Sequence, residues 1–285
     1  MAVILNMEED HLDYFKNITH IVDTFVGYGE NIQEQGFLII NMDDKNAYRV
    51  IENTNANIIG FGIHNSADYS CENIIFSEEG YSSFILNIKG KGKYPVRLNV
   101  MGMHNIYNAL ASIAATHTLG VPIEIILRAL GEYGGTHRRL EVKGIINGIK
   151  IIDDYAHHPT EIKASLKALK NSNYNELWCI FQPHTYTRTK YLLNDFATAF
   201  SDADKVIIPD IYAAREKNTG LIHSVDLVEA LIKNGVDAKY ISSFESIENF
   251  LLENAKPNDI IVTMGAGNVY TIGDTILEAK EKKAI

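Results

Sequence analysis

The amino-acid sequence predicts an α/β protein in two parts, the second of them built on a parallel, doubly wound sheet. Three observations carry this reading. After Gly144, apolar runs of strand length alternate with stretches of helical periodicity, the pattern of successive βα units with right-handed crossovers. Before it strands and helices mix, and residues 68–100 read as strands separated by Glu78-Glu79-Gly80 and Gly90-Lys91-Gly92-Lys93. Between the two parts Gly134-Gly135 breaks the periodicity. The 285 residues allow one or two domains, and 46% hydrophobic residues are enough to build a core.

Each element has its own justification. Ala2–Leu5 is a short apolar strand. From Leu12 to Tyr28, the residues Leu12, Phe15, Ile18, Ile21, Val22 and Phe25 recur at helical spacing, with Asp10 or Asp13 placed to cap. Phe37–Ile40 is a buried-type strand, after which Asp43 or Asp44 can cap a helix running towards Glu52. Ile58–Ile63 is a further strand, and Asp68–Val100 reads as antiparallel hairpins at a sheet edge. His104–Leu119 is an alanine-rich, closely packed helix; Gly120 ends it and Pro122 opens the next. A boundary near Lys143–Gly144 divides residues 1–143 from 144–285. Beyond it the strands are Ile149–Ile152, Leu177–Phe181, Lys205–Ile208, Ala238–Ile241 and Ile260–Met264. The helices that follow them are Pro159–Leu169, Thr189–Phe200, Val225–Ile232, Ser246–Glu253 and Val269–Glu278.

Composition narrows the function. A net charge of -10 disfavours a generic nucleic-acid binder, and an anionic substrate would need local cations set against that charge. Cys71 and Cys179 make neither a metal-ligand spacing nor a disulfide framework, so a reducing cytoplasm is the default. No apolar run reaches membrane-spanning length and no signal-peptide pattern is present. Met1–Asn6 reads as a strand from the outset, which suggests that a preceding partner segment is missing.

Unusual polar residues gather just after predicted strand ends: Asp153–Pro159, Gln182–Arg188, Asp210–Glu216 and Gly265–Asn268. In a parallel sheet all four lie along one carboxyl edge, where open α/β sheets bind ligands. The bland alternative, polar loops and a glycine turn, suits Gly265–Asn268 but poorly fits loops that concentrate His, Asp, Tyr and Arg. Asp153-Asp154-Tyr155-Ala156-His157-His158 can also be read as a metal cluster, though adjacent residues point in different directions. In the first half, His11 lies among carboxylates in Asn6–Asp13, where a metal or water site competes with a plain helix cap. Asn105 and Asn108 share one helix face, and their amides suit a nucleobase edge or a phosphate–water network, or simply capping. Arg138-Arg139 is either a phosphate fork or a solvated basic pair. No G-x-x-x-x-G-K-[ST] occurs in the sequence, so it holds no phosphate-cradling P-loop.

Taken in order, Asn6–Asp13, His104–Asn108 with Ala109-Leu110-Ala111, Gly134–Arg139, Asp153–Glu161, Phe181–Thr189 and Gly265–Gly267 resemble the Mur ligases. The resemblance runs the length of the chain. The two long stretches Asp153–Glu161 and Phe181–Thr189 resemble the members that add L-alanine. It implies a central ATP-binding α/β domain, entered part-way and without its P-loop, the upstream Glu metal motif or the UDP-binding domain. A Rossmann-like, doubly wound C-terminal domain follows. The implied activity is ATP-dependent joining of L-alanine to UDP-N-acetylmuramate through an acyl phosphate, for peptidoglycan precursors. By the same resemblance His11 is a Mg2+ ligand, and Asn105, Asn108 and His104 lie at the ATP site. Arg139 rather than Arg138 contacts phosphate, and Asp154 bonds the ribose. Tyr155, His157 and Arg188 form the L-alanine pocket, with Arg188 on the carboxylate and His157 and Arg188 as the catalytic pair. Thr185 departs from members that carry a second Arg there, which puts more of the carboxylate on Arg188. Gly134–His137 is the expected hinge for domain closure.

Three functions compete. The first is a ligase part that is inactive alone and works with a separate N-terminal piece. The second is a non-catalytic nucleotide or amino-acid binding module. The third is a metal-dependent hydrolase using His11 or Asp153–His158. An unpaired sheet edge would favour dimers or aggregation and leaves the oligomeric state open.

Overall fold

The computed structural model describes residues 1–10 and 14–283, with side chains described through Glu278. The chain divides into two compact units. One comprises Met1–Ser77 with Tyr81–Gly134; the other runs from Gly135 onward and includes Glu78–Gly80. A division at Lys143–Gly144 would fall inside a strand, Glu141–Ile146, that belongs wholly to the second sheet. Among the described residues no helix is long and apolar enough to cross a membrane.

The first unit holds a six-stranded sheet in the order β1 (Ala2–Ile4), β2 (Phe37–Asn41), β3 (Asn57–Gly62), β4 (Tyr69–Phe76), β5 (Tyr81–Ile88), β6 (Gly92–Met101). β1 to β4 are parallel; β4, β5 and β6 form the expected antiparallel edge. Side-chain alternation separates two cores. Leu38 and Ile40 pack with Val22 of α1 (Ile18–Glu30) and with Ala47 and Val50 of α2 (Ala47–Ile51). Ile39 and Phe61 pack instead with α3 (Met103–Thr118) and α4 (Ile123–Glu132), against Leu86 and Leu98.

The aspartate cap expected for α1 is replaced, and Asp43 does not cap α2. α1 starts at Ile18, where Asn17 Oδ1 accepts from His20 N at 3.0 Å, rather than at Asp10; Leu12 and Asp13 lie outside the described residues. α2 starts after Asn46 with no side-chain cap. Asp43 instead accepts from Ile63 N, His64 N and Asn65 N beyond β3, whereas Asp44 accepts from Asn46 N at 2.8 Å in the turn into α2 and from Met7 N at 2.6 Å. The bonds from beyond β3 to Asp43 and from Met7 to Asp44 are contacts that the local sequence cannot foresee.

The second unit has the sheet order β11 (Ala238–Tyr240), β10 (Lys205–Ile208), β9 (Leu177–Phe181), β12 (Ile260–Met264), β8 (Ile149–Asp154), β7 (Glu141–Ile146). All neighbours are parallel except β7, which joins β8 as an antiparallel edge strand. The last strand inserts between β8 and β9, giving the doubly wound order. β9 and β12 are buried at every position, as strands covered on both faces must be. One face packs Trp178, Ile180 and Ile261 against α9 (Phe244–Asn254) and α10 (Tyr270–Lys283). On the other, Phe181 meets Phe196 and Phe200 with ring centres 5.5 and 5.2 Å apart.

The helix expected over Thr189–Phe200 starts earlier and is broken, into α6 (Tyr186–Tyr191) and α7 (Leu193–Phe196). Thr185 caps α6 by accepting from Arg188 N, and the backbone leaves helical geometry at Leu192. α5 (Pro159–Lys170) and α8 (Ser224–Lys233) each begin with a capping box, His158 with Glu161 and His223 with Asp226.

Candidate functional site

Because β8, β9, β10 and β12 are parallel, the loops that follow them meet at one edge of the second sheet. Backbone bonds tie the loops together. Gln182 N donates to Met264 O at 2.9 Å, Gly265 N to Asp154 O at 3.1 Å, and Tyr212 N to Pro183 O and Thr185 N to Tyr212 O at 2.9 Å each. The glycines are there for close approach. A Cβ on Gly265, whose φ is +145°, would lie 2.7 Å from Gln182 O; one on Gly267 would lie 2.9 Å from the Tyr212 ring. All four polar segments singled out in the sequence therefore converge.

Asp153 and Asp154 are 2% and 3% exposed and both face protein donors. Asp153 accepts from Arg138 Nε at 2.9 Å and Thr263 Oγ1 at 2.7 Å. Asp154 accepts from Ala156 N, Leu140 N and Ser165 Oγ at 2.6, 3.0 and 3.1 Å. Burial pushes the Asp154 carboxyl up to about 6, against the lowering effect of those bonds and of Arg139. With both carboxylates so engaged, the Asp153–His158 segment is not built as a metal site. Among the described residues no group of three or more His, Cys, Asp and Glu side chains could hold an ion.

The more open part of the edge is aromatic and cationic. Tyr155, His157, His184 and Tyr212 follow one another in contact, with ring centres 5.4, 6.0 and 5.6 Å apart. His157 Nδ1 lies 2.9 Å from Tyr155 O. A carbonyl only accepts, so Nδ1 carries the proton and Nε2 of the neutral ring is an acceptor. At His184 the reverse tautomer follows, because Nδ1 faces Arg188 Nη1 at 3.3 Å. Burial, then the charges of Arg188 and His157, lower the His184 pKa and favour its neutral ring. Arg188 is thus brought beside His184 and one ring from His157. Arg139 is exposed, 3.7 Å from Glu161, with its guanidinium 5.6 Å from the Tyr155 ring centre. Thr185 has φ 68° and ψ 144°, a glycine-type conformation held by its cap and by its bond to Tyr212.

His184, Tyr212 and Gln182 stand in the quoted loops but were not singled out by sequence reasoning. His184 and Tyr212 face each other through a parallel bridge between the ends of β9 and β10, a pairing with no sequence spacing to reveal it. Gln182 is 5% exposed, and its Oε1 is buried beside Gly267 without a hydrogen-bond partner.

The remaining candidates belong to the first unit. Asn105 Nδ2 caps back to Met101 O at 2.8 Å, and Asn108 Nδ2 donates to Asn105 Oδ1 at 3.0 Å, so the two amides form one chain at the start of α3 beside His104. Both line a largely apolar cavity of about 480 Å³ between α3, α4 and β6. Tyr107, between them in sequence, donates to Asp43 at 2.8 Å and so ties α3 to the end of β3. His11 lies outside the described residues. Of the carboxylates before it, Glu8 accepts from Asn6 Nδ2 and Glu9 from Ile18 N.

Family models match both units: the Mur ligase middle domain over residues 1–116, and the Mur ligase glutamate ligase domain over residues 138–267. The chain is 50% identical to the UDP-N-acetylmuramate–L-alanine ligase of Acetivibrio thermocellus, over 100% of the chain and 61% of that protein. It is 48% identical to the enzyme of the same name from Caldanaerobacter subterraneus, over 99% of the chain and again 61% of the relative. Among solved structures it is similar to the UDP-N-acetylmuramate–alanine ligase of Thermotoga maritima, with a TM-score of 0.78 and 25% identity. That match covers 99% of the chain and 59% of the other. The chain thus spans about three fifths of the length of these relatives.

Proposed function

The chain belongs to the Mur ligase family, with its middle and C-terminal domains, and from this premise we propose that it forms part of an ATP-dependent ligase joining L-alanine to UDP-N-acetylmuramate. The observation that carries the reading is the convergence of Tyr155, His157 and Arg188 at the carboxyl edge of the second sheet, beside buried Asp154. Relatives named for this activity are 50% and 48% identical to the chain over the aligned 61% of their length.

In this reading Arg188 pairs with the carboxylate of L-alanine, a planar fork on a planar anion. His157 Nε2 accepts the proton that the ammonium group must lose before its nitrogen can attack. The electrophile is the acyl phosphate formed when ATP phosphorylates the lactyl carboxylate; attack gives a tetrahedral intermediate, which expels phosphate as the amide forms. Arg139 contacts the ATP phosphates and offsets their charge. Asp154, which accepts three bonds at the end of β8, is the residue assigned to the ribose. Asn105, Asn108 and His104 serve the nucleotide from the first unit. Magnesium would accompany ATP, with His11 as its ligand, and would neutralise phosphate charge there. The setting for this biosynthetic chemistry is the cytoplasm, where ATP is found.

The sequence has no P-loop of its own, so catalysis needs one from outside it. The test is phosphate release from ATP with UDP-N-acetylmuramate and L-alanine, using the chain alone and then mixed with a separately expressed N-terminal piece of such a ligase. Turnover is expected only in the mixture. Silence in the mixture, with an N-terminal piece that works beside an established C-terminal partner, would put a non-catalytic nucleotide or amino-acid binding module in its place.

A further inference from the structure

Arg138 and Arg139 are neighbours with opposite surroundings. Arg139 is 52% exposed at its side chain, whereas Arg138 is 23% exposed and engaged by a carboxylate, a carbonyl and two aromatic rings. Its Nε donates to Asp153 at 2.9 Å and its Nη2 to Gly265 O at 2.7 Å. The guanidinium lies over the rings of Tyr155 and Tyr270, 4.8 and 4.7 Å from their centres. Its backbone takes part as well. Tyr155 N donates to Arg138 O at 2.6 Å, Arg138 N donates to Glu141, and φ is +58°. One side chain therefore joins the lead-in to β7, the end of β8, the turn after β12 and the first residue of α10.

We propose that Arg138 is a positioning residue: without touching a substrate, it fixes Tyr155 and the Gly265–Gly267 turn and, through the chain, the direction of Arg139. This rests on the ligase reading for its kinetic consequence. The geometry requires arginine. A planar guanidinium can present one edge nitrogen to a carboxylate and another to a carbonyl while stacking on aromatic rings; a lysine ammonium is a single point of charge. The Gly265 carbonyl points at Arg138 only because residue 265 adopts a φ that a side chain would oppose and approaches Gln182 more closely than a Cβ permits. Asp153 adds a second constraint. At 2% exposure it needs a counter-charge, so Arg138→Ala would test folding rather than positioning. Arg138→Lys keeps the charge and removes the fork and the stacking.

Hydrogen exchange on the full chain, read by mass spectrometry, is the first arm. Arg138→Lys should raise exchange about tenfold over Tyr155–His157 and Gly265–Asn268, with β9 and the whole first unit unchanged. The second arm is phosphate release in the two-piece mixture. There the KM for L-alanine should rise about tenfold while kcat stays within about threefold, the mark of a displaced binding group. Tyr270→Phe, which keeps the ring, should behave as wild type, and Tyr270→Leu should reproduce part of the KM effect. Unchanged exchange in Arg138→Lys would overturn the proposal, as would a fall in kcat at constant KM, which would place Arg138 on the reacting atoms. If the wild-type mixture itself gives no turnover, the ligase reading fails, and the exchange arm alone decides whether Arg138 holds these segments.

Discussion

Asp154 shows how far one residue's role depends on its surroundings. Its sequence position, after an apolar strand, marks it as a candidate, but its carboxyl pKa of about 6 comes from burial. The folded value lies above the ordinary 3.8, so between those values the native state holds the proton more firmly than the unfolded chain. Stability from this group is therefore fully present at low pH and declines as pH rises towards 6. Between pH 4.5 and 7 the loss is about 2 kcal/mol. Asp154→Asn carries no such titration. Its Tm relative to wild type should improve by roughly 4–8 °C over that interval. A constant difference across pH would mean that Asp154 carries no raised folded-state pKa within that interval. At Thr185 the residue scale shows a different effect: the side chain is committed to capping α6, in a conformation only its neighbours make tolerable.

At the scale of elements, α3 is held to its sheet by one polar contact as well as by its apolar face. Burial pushes the Asp43 carboxyl pKa up, but bonds from Ile63, His64, Asn65 and Tyr107 outweigh it, and the net shift is downward. Burial and the bond to Asp43 raise the Tyr107 hydroxyl. Tyr107→Phe should cost about 1.5–3 kcal/mol, the range for a hydrogen bond to a charged group. The stabilisation from Asp43 is present above its ordinary value near 3.8 and fades as pH falls through the lower folded value. Urea titrations should therefore show the gap between wild type and Tyr107→Phe closing in strong acid; a gap that ignores pH would show that the hydroxyl matters only for packing. Most elements were legible. β9, β10 and β12 coincide with their apolar runs, because a strand buried on both faces must be apolar throughout. β7 was not legible: Glu141–Ile146 mixes polar and apolar residues, as a sheet edge permits, and only its partner β8 makes it a strand. The cap at Asp43 was misplaced for a related reason, since cap rules weigh only neighbours in sequence.

At the scale of the whole chain, each unit has its own sheet and its own core. The segment from Gly135 onward should fold when expressed alone. Calorimetry of the full chain should then resolve two transitions, one matching the isolated segment, whereas failure of that segment to fold would make the units interdependent. The sequence by itself determined the α/β class, the alternation that makes the second sheet parallel, and the family, because apolar period and long polar motifs are local properties of the chain. It also placed the polar segments after strand ends, from which one carboxyl edge follows once the strands are parallel. Only the tertiary structure decided which side chains meet there. His184 stacks on Tyr212, Asp153 is matched to Arg138 across 15 positions, and Gly265 turns its carbonyl towards Arg138 across 127. Those pairings arise from strand order and from the room a missing Cβ leaves, and neither is written in the spacing of residues along the chain.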